Sequence, residues 1–349
     1  VSKFAKNQWY AAAWLAELGN TLVARRILDE PVVLFRDSDG KVVALADRCP
    51  HRLVPLSMGT LVDRGIQCGY HGMVFDGAGR CAHIPGQDKI PPRAEVRSYP
   101  IAERYGIAWI WMGDAARADL TRLPVIDHYD DEGWELIDGG YQHHPSNYLN
   151  IVENLMDPAH TTFVHKMTIG NPAAKSEPVK MKKEDDYIVA FKWLFNSPPS
   201  PMDRQIKDFG DQSVDRGQFF YYYIPAVSRV DIITIPAGLE PTEENFNKGL
   251  RNNSYKFLTP ETDGSTHFFW MHLRNYKIGD KEWSQRMRGL FEKTFLEDRE
   301  IEMAMQRSQE ELGVRQFVGL EIDRAPTVAI RMIDRLIKEE AKDSGKVAA

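Results

Sequence analysis

Between Asn154 and His165 the chain reads N-L-M-D-P-A-H-T-T-F-V-H, a stretch in which amide, carboxylate and imidazole groups recur at spacings that can gather them round one metal ion. Asn154, Asp157 and His160 are three apart, so a helix stacks them along one side. His165 follows His160 by five. That is about 140° further round a regular helix, so both rings meet one ion only if the helix is irregular. Pro158 and a π-type bulge are the expected means. Two histidines and a carboxylate from elsewhere would form a facial triad, which leaves positions on Fe(II) open for dioxygen. Ordinary polar residues at a helix end are the alternative for a lone H-x4-H.

A second motif decides between them. C-P-H-R holds Cys49 and His51, C-G-Y-H-G holds Cys68 and His71, and sixteen residues separate the two. Two thiolates and two imidazoles on two loops fit a Rieske [2Fe–2S] centre, in which cysteines hold one iron and histidines the other. Neutral imidazole ligands raise the reduction potential of such a cluster above that of an all-cysteine one. Zinc competes, but structural zinc sites usually place two cysteines together and then two histidines, whereas here they alternate. Cys81 falls outside this spacing and reads as a small, partly buried residue. Three cysteines in all suit metal chemistry better than a disulfide framework.

The missing carboxylate is expected on a long helix over residues 281–312. Its apolar stripe runs Met287, Phe291, Thr294, Asp298, Ile301, Met305 at alternating spacings of three and four. Asp298 thus lies on the inward face, where a carboxylate needs a partner. An arginine could serve, and so could the ion held by His160 and His165. Glu297 falls with Lys293 and Glu300 on the solvent side.

The elements that must position these groups form two sets. Residues 22–36 and 41–46 are β-branched runs joined by D-S-D-G, a hairpin signal, and 107–112 is apolar throughout, as a buried strand would be. Residues 1–115 are expected to form a small all-β domain with the cysteine loops between strands. The segment 115–144 reads as an acidic bridge, with His143 and His144 on the surface. Strands are expected at 187–195, 218–224, 230–236, 254–258 and 266–274, with loops at 196–201 and 241–253 and a final helix over about 325–341. The fold class is therefore α+β: an all-β domain, then a catalytic domain over 116–349 whose antiparallel sheet is covered by helices.

Composition narrows the partners. At 43% hydrophobic and 27% charged residues, with a net charge of −6, the chain is of ordinary globular make-up and has no field to attract nucleic acid. No segment approaches about 18 continuous apolar residues, and the opening V-S-K-F-A-K-N-Q-W-Y lacks the apolar run of a signal peptide. A cytoplasmic protein with no membrane partner is expected.

C-P-H-R with C-G-Y-H-G, followed by N-x2-D-x2-H-x4-H, resembles the Rieske non-haem iron oxygenases over essentially the whole chain. The opening N-Q-W-Y and the Y-H-G-M at the second loop are similar to the branch of the vanillate O-demethylases and dicamba monooxygenases. Gly69 stands where that family more often has proline, which is expected to loosen the loop without removing a ligand. The resemblance implies an oxygenase component with a [2Fe–2S] cluster on Cys49, His51, Cys68 and His71 and with Fe(II) on His160, His165 and Asp298. It also implies a homotrimer in which His71 of one subunit lies near the next subunit's iron, with Asp157 bridging them and Asn154 beside the iron. With no G-x-G-x2-G fingerprint in the chain, a separate reductase using NAD(P)H, with or without a ferredoxin, must supply electrons.

The substrate implied is a small aromatic acid bearing a methyl or methoxy group, as in aromatic hydrocarbon catabolism. A hydroxylated O-methyl group is a hemiacetal that collapses to a phenol and formaldehyde. Lys256 and Trp270 are the candidate substrate contacts, with a solvated strand lysine and a core tryptophan as the alternatives. A cis-dihydroxylating dioxygenase uses the same irons, and a Rieske electron carrier without catalysis would lack the second one.

Overall fold

A computed structural model describes residues 3–347 except 167, 175, 176 and 317. The chain divides into two compact units, one of Val1–Pro124 with Thr259–Asp263 and Glu339–Ala349, the other of Val125–Leu258 with Gly264–Lys338.

The first unit is all β, in three small sheets. Trp9–Trp14, Ile107–Trp111 and Ile101–Arg104 form one; Val23–Ile27, Glu30–Arg36, Val42–Ala46 and Ser98–Tyr99 form another. The apolar run at 22–36 is two strands rather than one. Leu28 and Asp29 both take positive φ, 50° and 67°, as the primed turn of a tight hairpin requires. The third sheet, Thr60–Val62, Gly65–Gln67, Val74–Phe75 and Cys81–His83, carries the second cysteine loop. Val33, Phe35, Leu45, Leu56, Ile66 and Phe75 bury beneath both loops and fix their bases.

The second unit is a seven-stranded antiparallel sheet in the order Glu135–His144, Ser265–Arg274, Leu250–Thr262, Val227–Pro236, Val214–Tyr223, Tyr187–Ser197, Lys180–Lys183. The expected bridge at 115–144 therefore ends in a strand. Its E-L-I-D-G-G-Y does not alternate because the pairing shifts between Ile137 and Gly140, and a Cβ at Gly140 would stand 2.5 Å from the Trp270 ring.

The helices are α1 (Tyr148–Leu155), α2 (Thr161–Val164), α3 (Pro201–Ile206), α4 (Glu243–Lys248), α5 (Lys281–Leu312) and α6 (Arg324–Val347). Residues 241–253, expected as a loop, hold α4, which Thr242 caps by accepting from the Asn245 N–H. The bounds of α5 coincide with those expected. The Asp280 carboxylate accepts from Trp283 N at its start, and Gly313 closes it at φ 68°. Its buried stripe runs Trp283, Met287, Phe291, Thr294, Phe295, Asp298, Glu302. Ile301, expected inside, is 46% exposed, because Glu302 takes the inward position one turn beyond Asp298. Among the described residues no helix is long and apolar enough to cross a membrane.

Candidate metal centres

The two cysteine loops share one backbone design. Cys49 N donates to Val54 O at 2.9 Å and Leu53 N donates back to Cys49 O at 2.9 Å; Cys68 N donates to Met73 O at 2.7 Å and Gly72 N to Cys68 O at 3.0 Å. Each turn closes through a left-handed residue, Leu53 at φ 59° and Gly72 at φ 73°. The histidines sit at different steps of the turn, two and three residues after their cysteines, yet their rings meet with centroids 4.6 Å apart. Both cysteines are 2% exposed, whereas His51 and His71 are exposed. Burial pushes the Cys49 thiol up, and the adjoining Cys68 thiol adds to the effect. Paired buried sulfurs under paired exposed imidazoles are a donor set that suits a [2Fe–2S] cluster, whose irons would compensate the thiolates.

Gly69 is not a slack point. A Cβ there would stand 2.7 Å from Met58 O, so glycine allows the second loop to close on the first. Asp47 braces the first loop by accepting from Ser57 N at 2.7 Å and Ser57 Oγ at 2.6 Å. Cys81 is a buried thiol whose Sγ lies 3.5 Å from His83 O.

In the second unit His160, His165 and Asp298 come together, with one ligand atom from each lying within 4.8 Å of the others. Asp298 Oδ1 is 3.1 Å from His165 Nε2 and 3.5 Å from His160 Nε2. The segment reaches this geometry by breaking. No π-bulge forms; α1 stops at Leu155, and Asp157 to His160 make a turn before α2. Pro158 has no N–H to continue the helix and disfavours helical backbone at Asp157. The Asp157 carboxylate holds the turn, accepting from Ala159 N at 2.7 Å and His160 N at 3.2 Å, and its carbonyl takes His160 Nδ1 at 2.5 Å. His160 Nε2 is left facing Asp298.

Asn154 also reaches the site, donating to Asp298 Oδ1 at 3.0 Å, and its own Oδ1 is buried with no hydrogen-bond partner among the described residues. Burial pushes His160 below its ordinary value, only partly offset by Asp298. His165 is pushed down by burial too, but hydrogen bonds and charge from Asp298 and Glu297 hold it above. Burial would raise the Asp298 carboxyl, yet His165 and His160 hold it below its usual value. Two imidazoles and a carboxylate on one side of a cavity, with an orphaned amide oxygen beside them, fit a mononuclear iron(II).

Glu297 was expected in solvent. Its carboxylate instead accepts from His165 Nδ1 at 2.9 Å and Thr168 Oγ at 2.8 Å, so it orients the ring whose other nitrogen faces the metal position. His144 corrects a further expectation: it is fully buried, with Nδ1 2.5 Å from Glu302, while its neighbour His143 is exposed. The interior position that Glu302 takes on α5 is what draws His144 in.

The cavity in front of His160, His165 and Asp298 lies between α5 and one face of the sheet. Lys256 lines it, 4% exposed, with Nζ 5.7 Å from the Phe295 ring centroid; burial pushes its pKa down to about 7, against the pull of Asp298 and Asp231. It is not a solvated strand lysine. Trp270, the other candidate contact, lies behind the cavity wall in the core, its ring 5.3 Å from His272 and 5.4 Å from Phe295. His272 does line the cavity and was missed; burial pushes it well below its ordinary value, so its imidazole is neutral.

Residues 8–100 match the Rieske [2Fe-2S] domain family, and residues 145–339 match the vanillate O-demethylase oxygenase C-terminal domain family. Similar proteins include the toluene-4-sulfonate monooxygenase system iron-sulfur subunit of Comamonas testosteroni, 32% identical with 97% of this chain and 98% of that one covered. The dicamba O-demethylase oxygenase component of Stenotrophomonas maltophilia is 34% identical, with 97% and 99% covered. The crystal structure of dicamba monooxygenase bound to 3,6-dichlorosalicylic acid superposes with a TM-score of 0.89 at 33% identity, covering 97% of this chain and 99% of that one.

Proposed function

Because the chain belongs to the vanillate O-demethylase family of Rieske oxygenases, we propose that it is the oxygenase component of a monooxygenase that hydroxylates or O-demethylates a small aromatic acid. The carrying observation is the convergence of His160, His165 and Asp298 on one wall of a cavity with mixed apolar and polar lining. When bound, the cluster supplies electrons one at a time and the iron supplies the site at which dioxygen is activated.

The chain's own residues do the rest. Asp298 and the two histidines would hold the metal at one wall of the cavity, Glu297 fixes the His165 ring, and Phe220, Val230 and Phe295 give the aromatic body of a substrate apolar surface. Lys256 and His272 offer polar contacts on the same wall. A carrier of electrons alone has no use for this second constellation.

Residues 1–115 would hold the cluster and 116–349 the iron. A separate reductase drawing on NAD(P)H, with or without a ferredoxin, would feed the cluster in the cytoplasm. We propose a homotrimer as the working unit, in which His71, as a ligand of the cluster, would lie near the next subunit's iron ligands with Asp157 bridging them. Two features support this. His71 is exposed, and Asp157 is bound through carbonyl and carboxylate to His160 itself. The closed head-to-tail ring is the symmetry that lets every copy serve its neighbour.

The test is turnover of a panel of methyl- and methoxy-substituted aromatic acids under isotopic dioxygen with a reductase supplied. One labelled oxygen atom in the hydroxylated product, or formaldehyde with the matching phenol, is expected. A cis-diol carrying two labelled atoms, or dioxygen consumed with neither a labelled acid nor formaldehyde formed from any substrate, would sink the reading.

A further inference from the structure

Taking the cavity as the substrate site, we propose that the substrate docks its acid group on Arg216, at the end of the cavity remote from the metal ligands, so that acid and oxidised carbon lie at opposite ends of the molecule. The strand register sets the span. Arg216 pairs with Thr234, which pairs with Leu250, whereas Lys256 lies six residues further along that strand (256 − 250). Lys256 marks the metal end, since its Nζ lies 5.7 Å from the ring centroid of Phe295, which is buried on α5 together with Asp298.

Arg216 is 5% exposed and lines the cavity, yet its donors are poorly used. Its Nε stands 3.4 Å from Asp203 Oδ2 without the alignment of a hydrogen bond, and Nη1 has no partner among the described residues. Asp203 is occupied elsewhere. Its Oδ2 accepts from Ser200 N at 2.9 Å and Ser200 Oγ at 2.6 Å, closing the capping box of α3, and its Oδ1 accepts from Thr234 Oγ at 3.1 Å. A buried guanidinium with unfilled donors is costly, and a carboxylate or sulfonate that takes two of them at once relieves that cost.

The next row of the sheet reinforces the site. Gln218 and Asn252 both face Ile232 in the register, and both line the cavity with a buried side-chain oxygen that has no partner among the described residues. Their amides can turn NH2 groups toward an anion on Arg216. Phe220 and Val230 follow as the apolar row on which a ring can lie between the two ends.

The test is binding, measured by calorimetry on anaerobic protein with cluster and iron in place. The probes are 4-methoxybenzoate, 2-methoxybenzoate and the neutral 4-methoxybenzamide. Wild-type protein should prefer 4-methoxybenzoate to both others. Arg216→Gln should weaken 4-methoxybenzoate by roughly 10- to 100-fold and leave the benzamide unchanged. Arg216→Lys, which keeps a cation beside Asp203 and guards against misfolding, should act in the same direction by less.

The proposal falls if wild-type protein does not prefer the para acid over its amide. It also falls if acid and amide weaken together in Arg216→Lys, or if Lys256→Gln rather than Arg216→Gln removes the preference. A wild-type protein that shows the preference but yields neither a hydroxylated acid nor formaldehyde under dioxygen would overturn the oxygenase reading and leave this subsite standing.

Discussion

His165 is gripped on both edges by adjacent residues of one helix: Glu297 accepts from its Nδ1 at 2.9 Å, and Asp298 faces its Nε2 at 3.1 Å. The backbone step between the two carboxylates turns them to opposite sides of the imidazole, so α5 supplies both the carboxylate of the candidate metal site and the ring's orientation.

Loss of either carboxylate should therefore be felt at the iron, but unequally. Asp298→Ala should lose the mononuclear iron, while Glu297→Ala should bind it roughly 10- to 100-fold more weakly, the usual cost of removing an orienting partner. Metal analysis alongside the visible spectrum separates the sites, since the cluster's colour should survive in both. Full iron affinity in Glu297→Ala would show that the hydrogen bond to His165 is idle.

The cluster is tested from the other side. Cys68→Ser removes one of two buried sulfurs and should abolish the visible absorption of the cluster while the mononuclear site still takes up iron, because His160, His165 and Asp298 belong to a unit with its own sheet and helices. A fully coloured Cys68→Ser protein would end the assignment.

How much of this could be read in the chain depended on whether a group's partner was near in sequence. C-x-H and C-x2-H reveal a shared turn because each loop closes on itself, Cys49 with Leu53 and Cys68 with Gly72. Asp298 was legible from the periodicity of α5, whose length makes a stripe unmistakable. The partners of Glu297 and Glu302, by contrast, are His165 and His144, 132 and 158 residues away, and no spacing announces them. Periodicity also misjudged Ile301 for the same reason: the inward place went to a charged residue that only a distant imidazole makes tolerable. Glu135–His144 escaped notice because its paired glycines interrupt the alternation on which strand recognition depends.

Lys256 gives a pH signature. The unfolded chain keeps its proton up to near 10.5 and the folded chain releases it near 7, so the unfolded state binds more protons across that window and stability rises with pH through it. Below the folded value the cost of burying the ammonium is present in full. In iron-depleted protein, Lys256→Met should therefore melt above wild type at neutral pH, with the gap closing towards alkaline pH. A gap that widens instead would mean that the ammonium is stabilised where it lies.

The proposed electron transfer between subunits predicts complementation. Asp157→Asn keeps one oxygen, which can still accept from Ala159 N at the shorter of the two caps, so both metals should remain, but reoxidation of the reduced cluster should slow strongly, because the amide cannot accept from two histidines at once. Mixed with Cys68→Ser chains, each inactive alone, it should recover part of the activity wherever an intact cluster faces an intact iron site. Mixed trimers verified by mass that show no turnover would place the transfer within one chain.

The convergence of α1, α2 and α5 also has a meaning for the polymer. An ion shared by His165 and Asp298 ties together points 133 residues apart along the chain (298 − 165). It acts as a removable cross-link. Closing a loop of that length in the unfolded chain carries an entropy cost on the order of 4 kcal/mol, which an ion that stayed bound would impose on the denatured ensemble and withhold from the native one. Occupancy of this one site would then bear on the protein's stability as well as on its activity.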